Sequence, residues 1–444
     1  MGTSKQIKFF KLIKKSIGQS IIILGVLITY TLLGYLSIND QFKLDFSTFY
    51  SSLQALSHGN NPYASLTADY LAVPRTLPHN LCPPFFLILT YPLGLMSYHP
   101  ALLCWLLVSF ISGLIGARIS FSMVLNQKSL SQYGFLLTLF YLMLFSTIMN
   151  LAIGQIGSLL FLFVMAGYHF YLKKHYYWAG IFWATIISIK LFPGLLFFYA
   201  LAERRFKLIL IMLGSCLCFW AIPFILYGAQ LYLDYFNVMT QVSWYADSWN
   251  ASIYGFLFRL FTFSYYVPNE MRQQINLIYL FVFPLVLGIY YWLLKSSPPK
   301  NSIHLINHYR FCLTLVFMLL LSPLGWIYYS SLLILPLALC WFNEVPTNTS
   351  GKRPSKAWLF CFFLINCPFD YVATGFTPSL LMRISIYSLH FYGLLLLAYL
   401  MSKEKKLMGN NLLNSVPVSG SFIAILLIGM IIPAVSFVLI FSKQ

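Results

Sequence analysis

Residues 203–227 read Glu203-Arg204-Arg205-Phe206-Lys207 followed by LILIMLGSCLCFWAIPFILY, a charged cluster and then 20 positions without one charge. As a helix, such a run is about 30 Å long, the depth of a bilayer's hydrocarbon core. Working outward, the same alternation of apolar run and short charged loop recurs along the chain. Apolar runs fall at 17–38, 84–98, 100–122, 132–149, 154–172, 177–201, 207–227, 275–295, 310–323, 327–342, 357–373, 384–402 and 420–441. The pattern predicts an all-α polytopic membrane protein with about 12–13 transmembrane helices.

Composition agrees. Of 444 residues, 59% are hydrophobic and only 9% charged, where a soluble domain carries about a quarter charged. That excludes a soluble enzyme and a disordered chain. The net charge of +18 is not a nucleic-acid footprint, because the lysines and arginines cluster in short loops between apolar runs. Lys5, Lys8, Lys11, Lys14 and Lys15 precede the first run, and Lys403, Lys405 and Lys406 follow a late one. This is the positive-inside pattern, with anionic headgroups as its partners. It predicts a cytoplasmic N-terminus, an uncleaved first span, and residues 203–207, 295–310, 352–356 and 403–406 on the inner side, with Gln444 outside. The eight cysteines show no CxxC pair and read as reduced packing residues, with no zinc site.

Two features strain this count. Lys173 and Lys174 fall outside, one crossing from Arg204-Arg205. The run 84–98 is short, and 177–201 carries Lys190 and Pro193 in its middle. Either run is a candidate for a broken or re-entrant segment lining a polar cavity. Two long loops, 39–83 and 228–274, share the outer side and are rich in Pro, Tyr and Trp, which suits interfacial helices and a working outer face. No internal repeat is visible, against the inverted-repeat transporters.

The ten acids bound any acid–base chemistry. Glu203, Glu344 and Glu404 sit beside Lys or Arg in inner loops. Asp40, Asp45, Asp69, Asp234, Asp247, Glu270 and Asp370 lie on or near the outer side. Asp45 opens a stretch with apolar residues at 44, 46, 49, 53 and 56, where an acid is also an ordinary first-turn residue. Lys190 at membrane depth either faces a cavity or snorkels. Arg259 is equally a lipid-phosphate binder or a headgroup anchor. His58 and His79 share the first outer loop without metal-ligand spacing. Asn250-Ala251-Ser252 fits a glycosylation sequon.

Six segments, in order over residues 45–341, carry a resemblance. They are Asp45-Phe46 with Phe49-Tyr50, Ala55-Leu56 and Gly59-Asn60-Asn61-Pro62-Tyr63; Pro83-Pro84-Phe85 with Tyr91-Pro92-Leu93; and Gly154-Gln155-Ile156-Gly157 with Leu160. Then follow Ala179-Gly180 with Ile189-Lys190-Leu191-Phe192-Pro193; Ser243-Trp244 with Asn250-Ala251-Ser252, Gly255 and Arg259-Leu260; and Leu321-Ser322-Pro323-Leu324-Gly325-Trp326. Together they resemble glycosyltransferase family 87 of the GT-C superfamily, which includes polyprenyl-phosphate-mannose-dependent mannosyltransferases. One departure stands out: the family often carries His two residues after that Trp, and here the position is Tyr328.

The resemblance implies a GT-C-like catalytic module over 1–342, C-terminal helices over 343–444, and a site facing outside the cell membrane. It implies a sugar, mannose or a similar hexose or pentose, passing with inversion from a polyprenyl-phosphate donor to a glycolipid or glycan acceptor. No cofactor or metal is expected. By carry-over Asp45 is the general base, with Lys190 and Arg259 as donor-phosphate contacts. Gln155, Trp244, Tyr245, Trp249, Asn250, His79 and Tyr328 are sugar or acceptor contacts. The competing reading is a polytopic transporter or lipid flippase, and a silent scaffold is a third; polar and aromatic residues concentrated in outer loops favour the enzyme.

Overall fold

The structure, a computed structural model, describes residues 20–36, 44–71, 74–262, 267–296, 303–343, 355–369, 378–403 and 419–441. The N-terminal lysines, Asp40, Glu344, Asp370, Glu404, Lys352, Arg353, Lys405 and Lys406 lie outside the described residues.

The fold is all-α, as its apolar periodicity demands. Helix α1 (Ser20–Leu36) is followed by α2 (Leu44–Ser57), a two-residue antiparallel hairpin of β1 (Thr67–Ala68) and β2 (Arg75–Thr76), and α3 (Pro84–Gly94). Next come α4 (Tyr98–Val124), α5 (Gln127–Leu142), α6 (Phe145–Ala152), α7 (Gly157–Leu172), α8 (Tyr176–Ile189), α9 (Leu195–Ala202) and α10 (Phe206–Tyr227). The second long loop forms α11 (Gln230–Gln241) and α12 (Ile253–Phe261). Then α13 (Asn269–Lys295), α14 (Ile303–Leu321), α15 (Ile334–Asn343), α16 (Lys356–Asn366), α17 (Leu380–Ile384), α18 (Leu389–Lys403) and α19 (Gly420–Phe441) complete the bundle.

Among the described residues, α4, α10, α13 and the stretch Leu380–Ser402 are long and apolar enough to cross a bilayer. Helices α5 and α6, bent by 57° at Met143–Leu144, make a fifth such span if counted together. The outward faces of α10 and α13 are apolar and bare: Leu217 is 73% exposed, Ile225 77% and Phe281 70%. In water such faces would aggregate; facing lipid they cost nothing. Inside the bundle, aromatic rings fill the space between helices. Tyr168 of α7 stacks on Phe311 of α14 at 3.6 Å, and Trp341 lies on Trp358 at 5.3 Å.

The two strained points of the topology resolve together. Helix α3 does not cross. At its far end Gln54 Nε2 donates to Gly94 O at 2.7 Å and Tyr50 Oη to Met96 O at 2.8 Å, while Ser47 Oγ and Tyr98 Oη lie 2.9 Å apart. At its near end Tyr63 Oη donates to Cys82 O at 2.9 Å. Both ends of α3 therefore meet the loop built on α2, so the helix enters and leaves by one face. Conversely, 177–201 is not one crossing but two half-helices. Helix α8 rises to Lys190, the chain turns through Pro193, and α9 returns. The Arg205 guanidinium sits over the Tyr176 ring at 5.9 Å and Lys207 Nζ over Tyr177 at 4.9 Å, so α8 begins where α9 ends. One crossing fewer before Lys173 and one fewer after it bring Lys173, Lys174, Arg204 and Arg205 to the same end. Glu203 joins them, paired with Arg310 at 2.8 Å. Hydropathy counts residues and cannot tell a folded-back pair of half-helices from a single span.

Candidate active site

At the end of the bundle away from that basic cluster, a cavity of about 730 Å³ opens between α2, the 153–156 turn, the tip of the α8–α9 hairpin, the second loop and the 322–329 segment. Each wall is presented by a specific local device.

Asp45 stands in the first turn of α2, where the helix dipole favours a negative charge. Across from it, the chain between α6 and α7 makes a tight turn with Gly154 at φ +65°. A Cβ at this position would stand 2.7 Å from the Phe46 Cβ, so only glycine permits both the left-handed backbone and the contact with α2. Trp105 Nε1 fixes the turn by donating to Gly154 O at 2.7 Å. Gly157 lets the Tyr328 backbone approach, since a Cβ there would lie 2.8 Å from Tyr328 O. The result aims Gln155, whose Nε2 donates to Asp45 Oδ2 at 3.1 Å and to Tyr328 Oη at 3.3 Å. Burial pushes the Asp45 carboxyl up to about 6, against the opposing pulls of the Gln155 hydrogen bond and the Lys190 charge.

Lys190 owes its place to the end of α8. It leaves the helix in extended conformation, φ −144° and ψ 131°, and Pro193 prevents the helix from resuming at once. Its Nζ donates to Leu81 O at 3.3 Å. A cation and a carboxylate thus face one cavity from different walls, and Phe192, Tyr235 and Tyr329 lie beside the lysine.

The second loop supplies the aromatic wall with Trp244 and Trp249. Asn250 pins it, fully buried: Nδ2 donates to Tyr245 O at 3.0 Å and Pro323 O at 2.9 Å, and Oδ1 accepts from Gly325 N at 3.0 Å. Backbone bonds from Ala251 N to Gly325 O and from Ile327 N to Trp249 O complete the seam.

Of the residues singled out in the sequence, Asp45, Gln155, Lys190, His79, Trp244, Trp249 and Tyr328 line this cavity. Three do not. Arg259 is fully buried one layer behind, donating through Nη1 to Asp247 O at 2.8 Å and Asn250 O at 2.9 Å and through Nε to Ser388 Oγ at 2.9 Å. Its guanidinium braces the loop instead of facing a phosphate. Asn250 is spent on the seam, which also removes its amide from any role as a glycan acceptor. Tyr245 turns the other way, into a separate cavity of about 580 Å³ with Tyr254, Asn276, Tyr279 and Phe283. His58 is exposed at the end of α2 and bonds to Gln54 O.

Two further residues of the site had no role assigned from the sequence. Asp247 lines the cavity along with the two tryptophans, held by Trp249 N donating to its Oδ1 at 2.8 Å. Burial raises its carboxyl, with the Trp249 amide and Arg259 opposing. Tyr329 follows Tyr328 at a ring distance of 4.8 Å. The usable signal was an acid placed inside an aromatic run, Trp244-Tyr245-Ala246-Asp247-Ser248-Trp249. Among the described residues no group of three His, Cys, Asp or Glu side chains is arranged to hold a metal ion.

A carboxylate with a raised proton affinity, a fixed amide, a cation and indole faces around one cavity make a site fit to handle a polyhydroxylated substrate bearing an anionic group. No curated protein matches this chain. The family model of glycosyltransferase family 87 matches residues 80–323, more than half of the chain and most of the cavity's walls. The protein belongs to glycosyltransferase family 87 and is an integral membrane protein.

Proposed function

We propose that the protein transfers a sugar, mannose or a similar hexose or pentose, from a polyprenyl-phosphate donor to a hydroxyl of a glycolipid or glycan acceptor at the outer face of the cell membrane. The observation that carries this reading is the placement of Asp45 and Lys190, from different elements, around one cavity, with Gln155 holding the carboxylate. Asp45 takes the proton of the acceptor hydroxyl as its oxygen attacks the anomeric carbon. The bond from that carbon to the phosphate oxygen breaks with inversion, and polyprenyl phosphate leaves with the electron pair. Lys190 holds the phosphate charge, a task to which a cation out of bulk water is well suited. Trp244 and Trp249 stack on the apolar faces of the sugar. Gln155 and Tyr328 orient the base, and His79 stands at the loop side of the cavity. Tyr328, where the family often has His, supplies a hydroxyl to Gln155 and no ring nitrogen.

The basic cluster at the opposite end of the bundle supports an N-terminus and inner loops on the cytoplasmic side, with the cavity outside. Residues 1–342 would then form the catalytic module and 343–444 a supporting set of helices. The test is to incubate purified full-length protein in lipid bilayers with polyprenyl-phosphate-linked sugars and a glycolipid acceptor. A product with inverted anomeric configuration is expected. Solute movement across liposomes with no turnover of any lipid-linked sugar would instead make the chain a transporter.

A further inference from the structure

The reaction above employs one of the two carboxylates that line the cavity; Asp247 is left without a task. Its setting is that of a built site. Trp249 N donates to its Oδ1 at 2.8 Å, so the side chain closes its own turn and has a fixed direction. Arg259, fully buried, grips the Asp247 carbonyl at 2.8 Å and the Asn250 carbonyl at 2.9 Å, and is itself tied to Ser388. Asn250 welds the same loop to Pro323 and Gly325. A short irregular loop is thereby tied to its surroundings at several points. Asp247 stands between Trp244 and Trp249 in the sequence, and all three border the one cavity.

A pyranose offers an apolar face of C–H groups and, on its rim, neighbouring hydroxyls. Indole faces meet the first, and a carboxylate accepts two hydroxyl donors at once through charge-assisted bonds. Asp45 cannot perform this task while serving as a base, since it must be open to the attacking hydroxyl alone. We propose that Asp247 is the sugar-recognition carboxylate of this site, accepting a pair of vicinal hydroxyls from the pyranose held between Trp244 and Trp249 and thereby selecting among epimers. This deepens, and rests on, the reading of the cavity as a sugar-transfer site.

Asp247→Asn is the informative variant, because an amide oxygen still accepts from Trp249 N and keeps the turn, while one strong acceptor becomes a donor. In bilayer-reconstituted protein its KM for the sugar substrate rises roughly ten- to a hundredfold, the loss expected for hydrogen bonds to a charged acceptor. The kcat stays within severalfold, and discrimination between the preferred sugar and its epimer drops about tenfold or more. Separate KM values for the lipid-linked donor and for the acceptor tell which pyranose is held. Independently of turnover, quenching of tryptophan fluorescence by methyl mannoside, glucoside and galactoside requires higher concentrations in the variant, and the three lose their order.

An unchanged KM and epimer preference, or a collapse of kcat at constant KM, overturns the assignment. Wild-type protein that quenches with none of the three glycosides overturns it too. If the protein transfers no lipid-linked sugar yet glycoside binding depends on Asp247, the recognition site stands and the transfer reading fails. If transfer is robust and indifferent to Asp247, the reverse holds.

Discussion

At the residue scale, enclosure in a cavity changes what a carboxyl can do. Asp45 titrates near 6 in the folded protein against an ordinary value of 3.8. The folded state therefore binds its proton more tightly than the unfolded chain. The stability this gives is fully present below about pH 4 and is lost as pH rises through about 6. Asp45→Asn removes the ionisable group, so the variant should gain stability relative to wild type as pH climbs through 6. Thermal unfolding at about pH 5 and about pH 8 checks this. A variant less stable than wild type at the higher pH would mean that the carboxylate is a structural partner and not a strained functional group. Asp45 and Gln155 were legible only through the resemblance to family 87, since on its own residues Asp45 is an ordinary first-turn acid. Lys190 also stood out as a charge in the middle of an apolar run. Asp247 was visible as an acid inside an aromatic run but its direction was not legible: in an irregular loop nothing in the spacing says whether an acid points to solvent or inward. The same ignorance of direction hid the fact that Tyr245, Asn250 and Arg259 face away from the cavity that Trp244 and Trp249 line.

At the element scale, the site depends on helix ends more than on helices. The 153–156 turn, the break at Lys190 and the Asn250 seam hold side chains from separate elements in register. Gly154→Ala forces a methyl to within 2.7 Å of Phe46 Cβ at φ +65°. It should destabilise the protein by about 1–3 kcal/mol and, by moving α2 against Gln155, slow transfer by about a hundredfold. Gly214→Ala in α10 is the control, since nothing lies within 4 Å of its added methyl. It should stay close to wild type in unfolding temperature and transfer rate. Equal behaviour of the two variants would show that the turn does not position Asp45. Hydropathy located most of these elements yet left α3 and the α8–α9 pair undecided between crossing and folding back, because apolar length alone carries no information about where a chain folds back.

For the whole molecule, the folded-back α3 and α8–α9 hairpin fix which loops share a side of the membrane. Lys173 and Lys207 lie at one end of the bundle and Asn60 in the loop at the other. In a background with Cys104 and Cys218 replaced, single variants Lys173→Cys and Lys207→Cys should react with a membrane-impermeant thiol reagent only from the cytoplasmic side, and Asn60→Cys only from outside. Opposite sidedness for positions 173 and 207 would restore 177–201 as a single crossing. With the hairpin re-entrant, Lys190 reaches the cavity while Lys173, Lys174, Arg204 and Arg205 stay together at the opposite end, the clustering that the positive-inside rule favours.

The most direct test of the central claim is the pH dependence of single-turnover sugar transfer, wild type against Asp45→Asn, from about pH 5 to about pH 8. Wild type should lose about tenfold per unit below an apparent pKa near 6. The variant should run about 10²–10⁴-fold slower at neutral pH with no acid limb. A variant that matches wild type at neutral pH, or that keeps the same acid limb, would contradict the assignment of Asp45 as the base.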